Sequence, residues 1–229
     1  MIVPTYNERD NLPAIVAAIH EHLPQADVLV VDDGSPDGTG RIADELKSRD
    51  TRLDVIHREG KLGLGTAYVA GFKQALARGY DYIFEMDCDF SHDPADVPRL
   101  IDAVESGGDL ALGSRYVPGG GVRNWGLVRL LISRGASVYT AVFLQMGVKD
   151  PTGGFKCFRR RVLETIDLDR ITAKGYAFQI ETTYRAKQAG FRVVEVPITF
   201  ADRVEGHSKM SRAIVLEAVW RVPLLRFRR

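Results

Sequence analysis

Residues 80–92 read YDYIFEMDCDFSH, an apolar run that ends in two aspartates separated by one residue. The run from Tyr80 to Met86 predicts a buried strand, because it is short, apolar and preceded by a glycine. Asp87 and Asp89 point the same way on an extended segment, and like charges this close are costly unless a cation lies between them. Their oxygens suit Mg²⁺ or Mn²⁺ together with a phosphate ligand. The alternative interpretation is a solvated acidic turn.

The chain around this strand alternates between helix-like and strand-like patterns. Four segments are predicted to be helices: 10–23, 38–47, 65–77 and 94–105. Short apolar runs before, between and after these helices predict further strands: 2–4, 28–31, 53–57 and 110–113. This order predicts an α/β fold with a mainly parallel sheet covered by helices on both faces. Ligand sites of such sheets lie at the carboxyl ends of the strands, where the two aspartates are placed.

The pattern changes after residue 115. The predicted elements there are a glycine-rich loop at 116–124, an amphipathic helical stretch at 126–146, a tight turn at 152–155, a helix at 177–188, a strand at 193–199 and a terminal helix at 211–227. We expect one catalytic domain over residues 1–209. A basic and apolar C-terminal helix over 210–229 can then face a membrane.

Composition favours a soluble globular protein and gives no support for a nucleic-acid partner, because the formal net charge is only +1. The two cysteines, Cys88 and Cys157, are far apart in sequence and fit a reduced cytosolic protein. We expect no signal peptide and no spanning helix, since the most apolar window contains Arg129 and Arg134. We expect the protein to lie in the cytoplasm, at a membrane surface. It would bind the membrane directly, through a membrane partner protein, or through an anchor that this sequence lacks.

Two further motifs follow predicted strands. They are PTYNE at residues 4–8 and VDDGSPDGT at residues 31–39. A carboxylate such as Asp33 can accept hydrogen bonds from ribose hydroxyls or base N–H groups, although an ordinary turn with a helix cap is the alternative. The chain has neither a G-x-G-x-x-G after its first strand nor a G-x-x-x-x-G-K-[ST]. A dehydrogenase-type dinucleotide fold and a P-loop NTPase are therefore unsupported.

Taken in order, these motifs resemble those of glycosyltransferase family 2, whose members have the nucleotide-sugar-binding GT-A fold. Motifs of the second half are similar to those of the polyprenyl (dolichyl) phosphate mannose synthases: GSRY at 113–116, ISRGA at 132–136, KGYAFQIE at 174–181, EVPITF at 195–200 and DRVEGHSKM at 202–210. The resemblance covers essentially the whole chain. It departs at Cys88, where many members have alanine, and at Ser91, where some have glutamine. A serine hydroxyl is a weaker metal ligand than the amide oxygen of glutamine, so water can complete the coordination shell of the metal.

The resemblance implies that the protein transfers mannose, with inversion and with Mg²⁺ or Mn²⁺, from GDP-mannose to a polyprenyl (dolichyl) monophosphate. The residues it implies for the donor are Pro4, Tyr6, Glu8, Val31, Asp33, Asp87, Cys88, Asp89, Arg115, Arg203 and Lys209. Those implied for the acceptor phosphate are Arg115, Arg129 and Ser133. Those implied for the metal are Asp87, Asp89 and Ser91. Asp89 and Arg115 are implied to be catalytic. For each basic residue the alternative is a solvated surface charge, a description that suits Arg129 better than Arg115.

A phosphate acceptor changes which catalytic groups are expected. The second pKa of a phosphomonoester is about 6, so the phosphate nucleophile is mostly anionic at neutral pH and needs no strong base. Glu181 occupies a helical position where a base can act, but a salt bridge on a helix face is an equal alternative. His92 is either a ligand or, as we favour, a cap or core contact next to Pro94.

Other functions remain open from the sequence. A UDP-glucose or other UDP-sugar polyprenyl phosphate transferase keeps the same mechanism with another donor. A glycan-extending transferase, a sugar nucleotidyltransferase and a non-catalytic nucleotide-sugar-binding module are more distant alternatives. Residues 127–144 and 224–229 combine apolar and basic side chains and can lie on an anionic membrane surface, although the first segment also suits a packing helix.

Overall fold

The computed structural model describes residues 1–171, 173, 175–202 and 222–226 of the chain. Its strands are β1 (Ile2–Thr5), β2 (Val28–Asp32), β3 (Leu53–His57), β4 (Tyr82–Glu85), β5 (Leu110–Ser114), β6 (Gly121–Arg123), β7 (Lys156–Arg159), β8 (Val193–Pro197) and β9 (Thr199–Ala201). Its helices are α1 (Leu12–His22), α2 (Thr39–Arg49), α3 (Leu64–Ala77), α4 (Val97–Glu105), α5 (Leu127–Leu144), α6 (Arg160–Thr165) and α7 (Gly175–Gln188). Short 3₁₀ turns occupy Pro94–Asp96 and Leu168–Arg170.

Seven strands form the central sheet in the order β3-β2-β1-β4-β7-β5-β8. All pairings are parallel except those of β7, which runs antiparallel to β4 and β5. Consecutive strand residues point to opposite faces, so Ile2 and Val3 of β1 lie in two different hydrophobic clusters. Helices α1 and α4 cover one face, and α3, α6 and α7 cover the other. The predicted α/β fold with a mainly parallel, two-sided sheet is confirmed.

The structure differs from the local predictions in three places. β7 and α6 were not predicted, because the strand reads KCFR and its first residue is a fully buried lysine, Lys156, which hides the apolar signal. The predicted loop at 116–124 contains β6, which pairs in parallel with β9 to form a second, two-stranded sheet. The predicted strand at 193–199 is divided into β8 and β9 at Ile198, so its two parts belong to different sheets.

Helix α5 presents an apolar surface to solvent. Its exposed large apolar side chains are Leu127, Val128, Leu131, Ile132, Val138, Tyr139 and Val142. Only 22% of the helix is buried, and among the described residues it is the one helix that is long and apolar enough to cross a membrane by length and composition alone. The sequence analysis had expected no such segment, because Arg129 and Arg134 interrupt it.

Part of the predicted C-terminal helix packs against α5. Residues 222–226 are helical, and Val222 is buried beside Leu144 and Met146. Arg226 Nη1 donates to the carbonyl oxygen of Phe143 at 2.5 Å. The remainder of the predicted helix over 210–229 lies outside the described residues.

Candidate active site

The carboxyl ends of β1, β2 and β4 meet at one edge of the sheet, because β1 pairs with both of the other strands. In the register, Pro4 lies opposite Val31. Side chains connect the two motifs that follow β1 and β2. Thr5 Oγ1 donates to Asp32 Oδ1 at 2.9 Å, and the Glu8 backbone N–H donates to Thr39 Oγ1 at 3.0 Å. The structure thus brings together the residues predicted for a nucleoside pocket.

Asp33 anchors the loop that follows β3. Its Oδ1 accepts from Arg58 Nη1 at 2.5 Å, and its Oδ2 accepts from the Gly63 N–H at 3.1 Å. Lys61 of the same loop lies over the Tyr6 ring, 4.2 Å from its centroid. Neither Arg58 nor Lys61 was predicted from the sequence, although their place in the glycine-containing stretch HREGKLG after a strand was an available signal. A nucleoside that donates hydrogen bonds to Asp33 has to share the Asp33 carboxylate oxygens with Arg58 and the Gly63 N–H.

The two aspartates after β4 are held by hydrogen-bond donors. Asp87 Oδ1 accepts from the Tyr68 hydroxyl at 3.1 Å, and Asp89 Oδ1 accepts from the Ser91 N–H at 3.0 Å. Burial, followed by the nearby Asp87 carboxylate, raises the pKa of Tyr68 well above its usual value, so the phenol remains a donor. Between Asp89 and Ser91 the chain turns through Phe90, whose φ is 57°. We call Asp33, Asp87, Asp89 and Ser91 the carboxylate edge.

A divalent cation fits this part of the carboxylate edge. The Ser91 hydroxyl is buried and has no hydrogen-bond partner among the described residues, while the N–H of the same residue donates to Asp89 Oδ1. Carboxylate and hydroxyl oxygens are the donors that a hard cation prefers, and a cation would satisfy this hydroxyl. In the described part of the chain no group of three or more His, Cys, Asp or Glu side chains converges to hold a metal. Substrate phosphate oxygens and water would therefore complete the coordination shell.

The Cys88 side chain packs into the hydrophobic core, beside the face that carries Val3 and Phe84. Cys88 lies beyond the end of β4, in the bend that carries the two aspartates, and it is only 2% exposed. Any contact between Cys88 and the donor would therefore involve its backbone.

A buried charged cluster lies under the carboxylate edge. Lys156 Nζ donates to the Gln179 carbonyl oxygen at 3.0 Å, to Gln179 Oε1 and to Thr182 Oγ1 at 3.1 Å. Glu85 lies 3.8 Å from the same ammonium. Burial raises the pKa of Glu85 to about 7, although Lys156 opposes the shift, and burial lowers the pKa of Lys156 to about 8. This cluster was not predicted, since its members come from three separate elements, β4, β7 and α7.

Arg115 is buried at the end of β5 and is paired with a carboxylate. Its backbone N–H, Nε and Nη2 donate to Asp150 at 2.9, 2.7 and 2.6 Å, and Nη2 also donates to Thr152 Oγ1 at 2.7 Å. Glu195 fixes Asp150 in turn, because the Asp150 backbone N–H donates to Glu195 Oε1 at 2.9 Å. Arg115 is therefore not a solvated surface charge. Asp150 was missed, although it directly precedes the predicted turn at 152–155.

Arg129 lies in the first turn of α5 and is also paired. Its Nη1 donates to Asp202 Oδ1 at 2.7 Å, and its guanidinium lies 4.1 Å from the centroid of the Trp125 ring. Ser133 is buried, and its Oγ accepts from the Tyr116 hydroxyl at 2.8 Å. The surface-charge interpretation of Arg129 was wrong, because its side chain is only 22% exposed. We call Arg115, Tyr116, Trp125, Arg129 and Ser133 the arginine cluster; the sequence analysis missed Trp125.

The carboxylate edge and the arginine cluster adjoin each other. The Ala201 N–H donates to the Ser91 carbonyl oxygen at 3.2 Å, and the next residue is Asp202, the partner of Arg129. His92 is buried between the two regions and packs on the rings of Phe155 and Phe200, with centroids 5.1 and 5.2 Å away. Burial lowers the pKa of His92 to about 4. The favoured interpretation of His92 as a core contact is thus supported.

Glu181 is bound within the protein. It is buried, and its oxygens accept from Arg185 Nε at 2.9 Å and from the Ala173 N–H at 3.2 Å. These contacts favour the salt-bridge interpretation over that of a base. Arg203 and Lys209, the other two cations predicted for the donor, lie outside the described residues.

The chain is similar to known proteins over most of its length. A family model described as Glycosyl transferase family 2 matches residues 1–167. The chain is 55% identical over 223 residues to the polyprenol monophosphomannose synthase of Mycolicibacterium smegmatis, covering 97% of this chain and 84% of that protein. It is 50% identical over 218 residues to the undecaprenyl-phosphate mannosyltransferase of Micrococcus luteus, covering 95% of this chain and 89% of that one.

Solved structures of a more distant enzyme have the same fold. Glucosyl-3-phosphoglycerate synthase from Mycobacterium tuberculosis, in complex with Mn²⁺, UDP-glucose and glycerol 3-phosphate, superposes with a TM-score of 0.62 at 20% identity, covering 98% of this chain and 76% of that one. Its complex with Mg²⁺ and UDP gives a TM-score of 0.63 at 20% identity, covering 96% and 77%. The predicted GT-A fold is confirmed, and the chain belongs to glycosyltransferase family 2.

Proposed function

We propose that this glycosyltransferase moves mannose from GDP-mannose to the phosphate of a polyprenyl monophosphate. The observation that carries the proposal is the arginine cluster beside the carboxylate edge. A phosphate acceptor needs cations and no strong base, and Glu181, the candidate base, is bound to Arg185. The names of the two close relatives, a polyprenol monophosphomannose synthase and an undecaprenyl-phosphate mannosyltransferase, support the same reaction.

The carboxylate edge would bind the donor. Pro4, Tyr6, Glu8, Val31 and Asp33 lie where the nucleoside would bind, and Cys88 would contribute backbone contacts. Asp87, Asp89 and Ser91 would hold Mg²⁺ or Mn²⁺, which when bound offsets the charge that grows on the departing diphosphate. The distant synthase has been crystallised with either ion, which supports a divalent metal here. Arg203 and Lys209 remain predicted contacts of the diphosphate.

The arginine cluster would bind the acceptor. Arg115, Arg129 and Ser133 would hold the phosphate so that one of its oxygens faces the anomeric carbon of the sugar. That oxygen attacks as the GDP departs from the opposite side, which inverts the anomeric centre. Because the nucleophile is already an anion, the catalytic work of these residues is to position it and to offset its charge.

The acceptor is a lipid, and α5 supplies a surface for it. Its exposed apolar side chains lie on the helix that carries Arg129 near its start and Arg134 further along. An amphipathic helix of this kind lies in the interfacial layer of a membrane, with its basic groups among the lipid phosphates. We propose that the protein works at the cytoplasmic face of a membrane, bound there directly or through a membrane-embedded partner protein.

A transfer assay tests the proposal. The purified protein is incubated with vesicles that contain polyprenyl monophosphate, with Mg²⁺ or Mn²⁺ and with either radiolabelled GDP-mannose or radiolabelled UDP-glucose. We expect labelled mannosyl lipid, loss of transfer on chelation of the metal, and no product when a polyprenol without phosphate replaces the acceptor. Efficient glucosyl transfer without mannosyl transfer would overturn the choice of donor, and transfer to the free polyprenol would overturn the phosphate nucleophile.

A further inference from the structure

Trp125 contacts both of the arginines assigned to the acceptor phosphate. The guanidinium carbon of Arg129 lies 4.1 Å from the centroid of its ring, and that of Arg115 lies 5.7 Å from it. The ring is fixed from another side by an edge contact with Phe200, with centroids 5.5 Å apart. One indole therefore supports two cations that come from different parts of the chain, the end of β5 and the start of α5.

The two arginines differ in how firmly their carboxylates hold them. Asp150, the partner of Arg115, is fully buried and receives three hydrogen bonds from that residue. Asp202, the partner of Arg129, has a side chain that is 35% exposed, and one hydrogen bond joins the two. An incoming phosphate can replace Asp202 far more easily than Asp150, because the buried pair would lose its partners in a low-dielectric environment.

Arg129 needs a second support while its carboxylate is exchanged for a phosphate. The contact with the Trp125 ring uses the face of the guanidinium and leaves its N–H edge for anions. Arg129 Nε is buried and has no hydrogen-bond partner in the described part of the chain, so this edge retains a donor.

We propose that Trp125 is a positioning residue of the acceptor site: its ring holds the Arg129 guanidinium beside Arg115, so that a single acceptor phosphate contacts both. The proposal rests on the proposed function for the identity of the acceptor. The ring face carries this role, and the indole N–H does not, because that N–H has no partner among the described residues. Trp125 thereby sets the affinity for the acceptor without contacting the donor.

Two substitutions distinguish the contribution of the aromatic ring face of Trp125 from that of its apolar volume. We expect Trp125→Leu to raise the KM for polyprenyl phosphate by about tenfold, with kcat and the KM for GDP-mannose within about twofold of wild type. Trp125→Phe keeps an aromatic face and should stay within about threefold in all three constants. Equal losses in the two variants, a wild-type acceptor KM in Trp125→Leu, or a fall confined to kcat would each overturn the proposal.

Fluorescence provides a measurement that does not depend on turnover. The chain has two tryptophans, Trp125 and Trp220, so the matched variant Trp220→Phe leaves Trp125 as the only indole reporter. We expect its emission to change in a saturable way with farnesyl phosphate, and to stay constant with farnesol or GDP-mannose. An unchanged emission at farnesyl phosphate concentrations that support transfer would overturn the proposal.

The two measurements also distinguish failure of this proposal from failure of the proposed function. If wild type forms no mannosyl lipid but Trp125 responds to farnesyl phosphate and not to inorganic phosphate, the acceptor site stands and the donor assignment fails. If mannosyl lipid forms while the emission and the Trp125→Leu acceptor KM are both unchanged, only the role of Trp125 fails.

Discussion

The carboxylate edge and the arginine cluster hold their charged groups in different ways. Asp87 and Asp89 accept hydrogen bonds from a neutral hydroxyl and a backbone N–H. Arg115 and Arg129 are each paired with a carboxylate. Donor binding at Asp87 and Asp89 would add a cation and a diphosphate to oriented carboxylates, whereas acceptor binding at Arg129 would replace Asp202, a carboxylate that the protein supplies. Asp33, the third carboxylate of the edge, is already paired with Arg58.

The largest effect is expected at the carboxylate edge. Asp89→Ala removes a carboxylate oxygen from the metal and diphosphate, and we expect mannosyl transfer to fall by on the order of 10³-fold. Because the Asp89 side chain is buried and accepts from the Ser91 N–H, a thermal melt of the variant separates loss of the metal from loss of the fold. Asp10→Asn, which alters an exposed carboxylate outside the site, is the matched control. A wild-type rate in Asp89→Ala, measured with saturating Mg²⁺, would refute the metal role.

The second prediction concerns the fixed pair of the arginine cluster. Asp150→Asn leaves the Arg115 guanidinium buried without its carboxylate, and we expect kcat/KM to fall by about 100-fold and stability by about 3 kcal/mol. If Asp150 acts only through Arg115, the double variant Arg115→Lys/Asp150→Asn should lose no more activity than the worse single variant. Activity losses that multiply would show that Asp150 has a separate role. Thermal melts of all four proteins separate this result from unfolding.

The third prediction concerns the membrane side of the arginine cluster. Val128→Ser/Leu131→Ser removes two exposed apolar side chains from α5, and we expect vesicle binding to weaken by about tenfold. Leu62→Ser is the matched control, because Leu62 is similarly exposed but lies in the loop near Asp33. Sedimentation with vesicles that contain anionic lipid measures the effect. Equal binding by all three proteins would contradict the interfacial role of α5.

The same two regions differ in how much the sequence reveals. The strands that carry the carboxylate edge are apolar runs followed by short polar motifs, so the strands, their mainly parallel pairing and the meeting of their ends were predicted. The partners of the arginines carry no local signal. Asp150 is 35 residues from Arg115, and Asp202 is 73 residues from Arg129. Such pairings depend on the tertiary fold, and in this region three-residue strands and a buried lysine conceal even the secondary structure.

The smallest expected effect tests whether exchange takes place at Arg129. Asp202→Asn keeps the shape of the side chain but removes the charge that competes with an incoming phosphate. We expect the KM for polyprenyl phosphate to fall by about threefold, because the partly exposed ion pair between Asp202 and Arg129 contributes about 1 kcal/mol or less. This improvement is the opposite of the loss expected for Asp150→Asn. Acceptor KM values from initial rates decide the question, with the GDP-mannose KM as the internal control. A rise in the acceptor KM would mean that Asp202 holds Arg129 in its active position, so that both arginines belong to fixed pairs.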